Sequence, residues 1–225
     1  MRRAHRLKAA MVSRKKGTLF YVGMHLGREF DLIFQSYEVC YGFEANPELF
    51  AKLVTKYRDH AHVKLFNNAA TNDPGPVTLN VSSNGGASSS LGQFDENWQH
   101  FKSGNIKMVD SVVVEGINLH DFCIRNGIPH IDDYISDIQG MDLQVLKTLN
   151  PMIENRKISR ITVETTRDDR RNIYSDLPDN SESGFRQLLS RNYKLVATGY
   201  GILEDYWFAD FDEGSWEIDC KWRLR

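Results

Sequence analysis

Apolar and polar positions along the chain fall into two alternating periods: short apolar runs of strand length, and longer stretches with an apolar residue every three or four positions. Residues 18–22 form an apolar run ending at Gly23, as a buried parallel strand does. Residues 28–37 read as a helix with Phe30, Ile33 and Phe34 on one face, and residues 38–43 as a second strand ending at Glu44. Asn46-Pro47-Glu48 then supplies an N-cap, a proline in the first turn and an acid beside it. Leu49, Phe50, Leu53, Val54 and Tyr57 follow at helical spacing, and residues 62–66 make a third strand leading into Asn67-Asn68-Ala69-Ala70. Repeated strand–helix–strand units predict an α/β fold, a mostly parallel sheet with helices on both faces.

The middle of the chain is less regular. Residues 76–82 and 111–115 are strand-like, and residues 82–92 (SSNGGASSSLG) form a small-residue loop. Residues 94–107 carry Trp98, His100 and Phe101 among polar neighbours, and Asn118 caps a short helix with Leu119, Phe122 and Cys123. Residues 130–138 are a fourth core strand, followed by Gly140 and a helix bearing Leu143, Leu146 and Leu149; residues 158–164 are a fifth. After a charged segment, 167–184, a helix with Phe185, Leu188 and Leu189 precedes strands at 193–199, 206–211 and 216–224. No internal repeat is visible. The expected organisation is a basic extension, 1–16, followed by one domain over 17–225.

Composition and charge narrow the function. With 41% hydrophobic residues the chain can build a proper core, and no apolar stretch approaches the roughly 18 residues needed to cross a bilayer. Three widely spaced cysteines, Cys40, Cys123 and Cys220, offer no disulfide framework, which suits a reducing, cytoplasmic setting. Of the 28 Lys and Arg residues seven fall in the first 16 positions, leaving 21 against 30 acids in the body. So acidic a body argues against nucleic acid as the main partner. The basic arm is expected to be a solvated extension, with an anionic contact or an organelle transit peptide as the alternatives.

In an open parallel sheet, ligands sit above the carboxyl ends of the strands. There the first strand runs into Gly23-Met24-His25-Leu26-Gly27, and Glu44 lies 21 residues after Gly23, where a carboxylate accepts both hydroxyls of an adenosine ribose. The G-x-G-x-x-G loop of dinucleotide folds is missing, as are a Tyr-x-x-x-Lys pair and a Gly-Lys-Ser/Thr phosphate loop. A cofactor with adenosine but no phosphate fits better, namely S-adenosylmethionine. A non-catalytic Rossmann-like binding module and a nicotinamide-dependent oxidoreductase are the competing possibilities.

Phe43-Glu44-Ala45-Asn46-Pro47, Asn68-Ala69-Ala70, Ser89-Ser90-Leu91, Asp137-Ile138-Gln139-Gly140-Met141-Asp142 and Val145-Leu146-Lys147, with Glu164 ending a strand, occur in that order. Over roughly residues 18–165 the chain resembles the FkbM family of S-adenosylmethionine-dependent methyltransferases. It departs from the family pattern at Tyr21, where an acid is usual, at His25 in place of asparagine, and at Asp142 in place of Glu. The resemblance implies a Rossmann-like class I methyltransferase, a seven-stranded sheet with an antiparallel strand near the C-terminus. It implies O-methylation of hydroxyls on sugars, glycans or related natural products.

Carried over by position, Gly23, Met24, His25 and Gly27 would cradle the methionine part of the cofactor and Glu44 its ribose. Asn68 and Ala69 would flank the adenine, Ser89 or Ser90 would close on the carboxylate, and Gln139 belongs with this set. Asn46 reads as a helix cap. Asp137 is the expected catalytic residue: as general base, as ligand of a divalent metal, or as a partner of the cofactor's ammonium. Glu164, with Asp132 and Asp133, could complete a metal site, so a metal stays open. The acceptor would be read by Trp98 and His100 on one segment and by Arg170 and Tyr174 on the other. The alternatives are that Trp98 anchors a loop and that the Arg/Asp cluster is solvated surface. The oligomeric state is not legible.

Overall fold

The structure is a computed structural model, and it describes residues 15–199 and 216–225. Most of the basic extension and the strand expected at 206–211 lie outside the described residues. The central sheet is made of β1 (Lys16–Val22), β2 (Tyr37–Phe43), β3 (Val63–Phe66), β7 (Ile131–Ser136), β8 (Ile158–Thr166), β9 (Tyr193–Gly199) and β10 (Glu217–Leu224). Its order is β3-β2-β1-β7-β8-β10-β9. The pairings β1–β2, β1–β7, β2–β3 and β7–β8 are parallel, whereas β10 runs antiparallel to both β8 and β9. The strand order reverses at β1, so the crevice for a ligand opens between the ends of β1 and β7. A smaller sheet, β4 (Ala69–Ala70), β6 (Met108–Ile117) and β5 (Gly75–Ser82) in that spatial order, stands beside it.

Alternation along β1 sends Leu19 and Tyr21 to one face and Phe20 and Val22 to the other. The first face is covered by α1 (Phe30–Ile33) and α2 (Pro47–Tyr57), through Phe30, Ile33, Leu53 and Tyr57. The second packs against α4 (Leu119–Arg125), α5 (Asp142–Thr148), α6 (Asn150–Glu154) and α7 (Glu182–Leu189). Phe20, Tyr41, Phe43 and Phe66 meet Phe122 of α4, mostly edge to face. Caps stop and start the helices where the side chains dictate. Asn46 accepts from Glu48 N (2.9 Å) and Asn118 from His120 N (3.0 Å). All three cysteines are buried thiols.

Three expectations change. The helix at 28–37 shrinks to α1 and one 3-10 turn, because Tyr37 already pairs with Lys16 as the first residue of β2. The strand at 111–115 lengthens to Met108–Ile117, held by antiparallel pairing along all of β5. In the segment 94–107 only α3 (Gln99–Lys102) is helical, and Trp98 is buried with Phe94, Ile173 and Tyr174 in a separate cluster.

At the amino-terminal end of the sheet Asp133 is buried, accepts a hydrogen bond from the Tyr37 hydroxyl and pairs with Arg160. Replacing Asp133 by Ala removes the carboxylate that the half-buried Arg160 guanidinium and the buried Tyr37 phenol share. Unfolding in urea should show a loss of about 2–3 kcal/mol, below the full cost of a wholly buried pair because Arg160 is partly exposed. Binding at the opposite end of the sheet should not change.

Candidate active site

Register brings the site together. Val22 pairs with both Phe43 and Ser136, and Ser136 pairs with Val163. The next residue on each strand, Gly23, Glu44, Asp137 and Glu164, therefore emerges on one edge. Gly23 has φ +84°, and a Cβ there would lie 1.9 Å from Asp137 O, so only glycine lets the loop lie against the end of β7. At Gly27, φ is +67° and a Cβ would meet the Tyr57 hydroxyl at 2.4 Å. His25, between them, also has positive φ (49°). Its N–H donates to Glu44 Oε2 (2.7 Å), and its Nε2 lies 3.0 Å from Gly85 O. The loop after β1 is thus tied both to the acid after β2 and to the loop after β5.

Glu44 is buried, and its second oxygen accepts from Asn46 N (2.8 Å). Burial raises its carboxyl to about 7, against the lowering effect of these N–H groups; Asp137 adds repulsion. It borders a cavity whose walls are largely apolar (Val22, Phe43, Ala69, Leu79, Leu91, Ile138), with Asn68, Ser90 and Asp137 among its polar groups. Each Glu44 oxygen accepts one backbone proton and keeps a lone pair for a diol, so a ribose fits beside the carboxylate and a flat base between the apolar walls. Gly23, the cradle a Cβ would fill, lines the same cavity.

Glu44 also supplies a stability prediction. An acid whose folded pKa is raised costs nothing below about 4, where both states are protonated. Between its ordinary value of 4.5 and about 7 the unfolded chain ionises first, so stability falls as pH rises. Glu44→Gln should remove up to ~1.4 kcal/mol per pH unit from that slope. Urea midpoints at pH 5 and pH 7 would differ less in the variant than in the parent; an unchanged difference would overturn this account.

At the edge of β7 and β8, Gln139 joins the acids. Its Nε2 donates to Asp137 Oδ1 (2.5 Å) and Glu164 Oε2 (2.8 Å), and its Oε1 accepts from the Tyr174 hydroxyl (2.7 Å). Ser90 Oγ donates to Gln139 O (2.7 Å). The Gln139 amide is fully committed, so this residue orients two carboxylates rather than offering a free contact. Asp137 is exposed at the mouth of the cleft; lost hydration there raises its carboxyl, partly offset by hydrogen bonding with Gln139 and Glu164. Burial raises Glu164 as well, and the charges of Asp137, Glu217, Asp142 and Asp219 raise it further. The β10 acids Glu217 and Asp219 face Thr166 and Glu164 across the antiparallel pairing. Asp142 is buried, accepts from Ile138 N (3.2 Å) and the Ser136 hydroxyl, and ties the turn before α5. Burial and Asp137 bring it to about 7.

The expected residues divide. Gly23, Glu44, Asn68, Ala69, Ser90 and Asp137 line one cavity; Met24 and His25 border an adjoining pocket with Gly23 and Asp137. Of the two serines, Ser90 lines the cavity, whereas Ser89 Oγ accepts from Ser82 N (3.1 Å) within its own loop. Of the two readings for Trp98, its packing is that of a loop anchor: it is buried, its ring 4.9 Å from Phe94. Tyr174, fully buried, reaches the cleft only through Gln139 and lies 3.3 Å from Ser88 O. His100 and Arg170 are exposed; Arg170 lies 3.9 Å from Asp169. Asp132 and Asp133 are corrected as co-ligands, because they sit at the start of β7 and bind Thr18 N and Arg160. Asp137 and Glu164 do meet, but among the described residues no group of three or more His, Cys, Asp or Glu is placed to hold a metal ion. Asn67, whose amide donates to Glu44 O (2.9 Å) and Ala45 O (3.0 Å), was missed, although it follows the third strand as Glu44 follows the second.

Seven strands with the last inserted antiparallel, a glycine turn after β1 and an acid after β2 define a Rossmann-like methyltransferase fold. The chain belongs to the FkbM methyltransferase family: the Methyltransferase FkbM domain matches residues 22–195. Among solved structures it is similar to the methyltransferase FkbM from Methylobacillus flagellatus KT, at 11% identity and TM-score 0.53. That match covers 93% of this chain and 44% of the other, so this chain spans less than half of that relative's length. It is also similar to magnesium protoporphyrin IX methyltransferase (ChlM) from Synechocystis PCC 6803 with bound SAM, at 8% identity, 95% and 72% coverage and TM-score 0.47. Aeropyrum pernix fibrillarin in complex with S-adenosyl-L-methionine aligns at 11% identity, 92% and 67% coverage and TM-score 0.46. No curated protein matches the sequence. Among the described residues no helix is long and apolar enough to cross a membrane.

Proposed function

We propose that the chain is an S-adenosylmethionine-dependent O-methyltransferase acting on a hydroxyl of a sugar, glycan or related natural product. Residues 17–225 would form its single domain. The observation that carries the reading is the common register of Gly23, Glu44 and Asp137 around one cavity, within a family of methyltransferases. When bound, the cofactor supplies a sulfonium methyl group open to displacement. Glu44 holds the ribose hydroxyls, the walls around Ala69 and Leu79 exclude water from the base, and the glycine loop carries the chain over the far end of the ligand. Asp137 takes the proton of the acceptor hydroxyl. Gln139 donates to both Asp137 and Glu164 and so holds the base in place, while Glu164 shares the negative charge.

Calorimetry with S-adenosylhomocysteine, NADH and NADPH tests the cofactor. Binding of a nicotinamide nucleotide and not the homocysteine product would sink the reading. Glu44→Ala should weaken homocysteine-product binding by about 1–3 kcal/mol. For the acceptor, a mass-spectrometric screen across candidate glycans should find the gain of one methyl group. Methylation confined to protein side chains or nucleobase nitrogens would overturn the acceptor while leaving the cofactor standing.

A further inference from the structure

The small sheet β4-β6-β5 leaves a long stretch of one strand edge unpaired. Asn80 of β5 exchanges both backbone bonds with Ser90 (2.8 and 3.1 Å), on the side away from β6. In an antiparallel ladder the hydrogen-bonding side alternates residue by residue. Asn80 pairs with Ser111 and Thr78 with Val113, so the N–H and C=O groups of Ser111 and Val113 point away from β5 as well. On that side β4 covers β6 only at Gly116 and Ile117. Of the four groups, only the Ser111 N–H has a partner among the described residues, the carboxylate of its neighbour Asp110 (2.7 Å).

The side chains along this edge match themselves when the strand is reversed. Lys107, Val109, Ser111, Val113 and Glu115 are all exposed, while Val112 and Val114 pack with Leu79 and Ala69 on the other face. At 60% and 70%, Val109 and Val113 are the most exposed valines among the described residues. Lys107 and Glu115 form no ion pair among the described residues. A second β6 laid antiparallel about Ser111 puts Lys107 opposite Glu115 and Val109 opposite Val113, each pair occurring twice, with Ser111 opposite itself. A slip of two residues either way sets Val109 against Glu115 or Lys107 against Val113 and loses both charge pairs. A slip of one turns the exposed valines to the wrong face.

We propose that the edge of β6 binds a second copy of this chain, strand to strand across a two-fold axis at Ser111, joining the two small sheets into one. The Ser111 N–H then leaves Asp110 for the Ser111 carbonyl of the second copy. The contact is self-limiting. β4 occupies the edge from Gly116 onward, and the bulge where Val81 and Ser82 face Asp110 and Met108 twists the strand at its other end. The far edge of the sheet is bridged at Asn80 to Ser90. The same patch on both copies closes the assembly at two.

Sedimentation velocity of the full chain, from low to high micromolar concentration, should show a monomer passing into a dimer. Lys107→Glu and Glu115→Lys should each weaken that dimer about tenfold or more, since each turns two attractive pairs into two repulsive ones. An equimolar mixture of the two variants should recover association, because every contact between unlike copies is again Lys against Glu. The double variant, with both charges exchanged, should dimerise as the parent does. Thermal melting checks that the single variants keep the fold, as exposed side chains without a described partner allow. If one of them melts early, the double variant carries the test, with parental affinity expected and a monomer overturning the proposal. A parent that stays monomeric at every concentration overturns the second copy as occupant of this edge. A dimer indifferent to the single exchanges, a mixture that does not recover, or growth beyond two copies overturns the register. None of these readings depends on the cofactor assignment.

Discussion

Asp137→Asn should lower turnover by about 10²–10⁴-fold, the range for losing a positioned general base. The variant keeps the shape of the side chain and an oxygen to accept from Gln139 Nε2, so the edge of β7 and β8 should hold its geometry. What disappears is the ability to take a proton. Asp137 is raised above the ordinary carboxylate range by its place in the cleft, and burial and mutual repulsion raise Glu164 with it. A base works only when deprotonated. Activity of the parent should therefore fall as pH drops through that raised value, and the acid limb should vanish in Asp137→Asn. Gln139→Ala provides the companion measurement. It touches both carboxylates, so it should shift the acid limb as well as lower turnover, which a purely structural role would not do. Full activity of Asp137→Asn at every pH would remove Asp137 from the chemistry.

Gly23→Ala should destabilise the fold by about 2–5 kcal/mol, combining the penalty for left-handed backbone with an overlap that no rotamer relieves. The new Cβ would stand 1.9 Å from Asp137 O, a backbone atom of a central strand, at φ +84°. The loop must lift from the end of β7 and take His25 N away from Glu44. Cofactor binding should fall more than tenfold in consequence, since positioning errors of about 1 Å cost that much and more. Gly85→Ala is the control. Its φ is +73° but nothing lies within 4 Å of a Cβ there, so it should show the conformational penalty alone, about 1–2 kcal/mol. Urea unfolding of the pair gives the contact contribution as the difference. Equal midpoints for the two variants would mean that the close approach at Gly23 is not required.

Several parts of the site were legible because strand ends are marked along the chain. Gly23 and Glu44 end apolar runs, and a buried run that stops at a glycine or an acid announces an edge. Asp137 was legible for the same reason. What joins these positions was not. His25 Nε2 meets Gly85 O across 60 positions, Tyr174 lies against Ser88 O across 86, and Gln139 links Glu164 across 25. Such contacts follow from how loops settle over a sheet, and no local pattern encodes them. The packing of aromatics on polar segments was not legible for a related reason. Trp98 and Tyr174 sit among charged neighbours in sequence, yet they pack on each other's segments and on Phe94, a choice visible only once both loops lie side by side.

The sequence by itself determined the layers, the strands of the parallel part of the sheet, the glycine turn and the acid that follows β2, because periodicity, caps and backbone freedom act locally. Only the tertiary structure decided which carboxylates share one edge. Asp133 lies in β7 and Asp137 just past its end, four residues apart, and the first serves a structural ion pair while the second borders the cleft. A strand puts about 13 Å between such residues, the thickness of the sheet's working edge from its foundation. Pairing register then aligned Asp137 with Gly23, Glu44 and Glu164, and burial beside one another changed the proton affinities of these acids, which no residue carries alone.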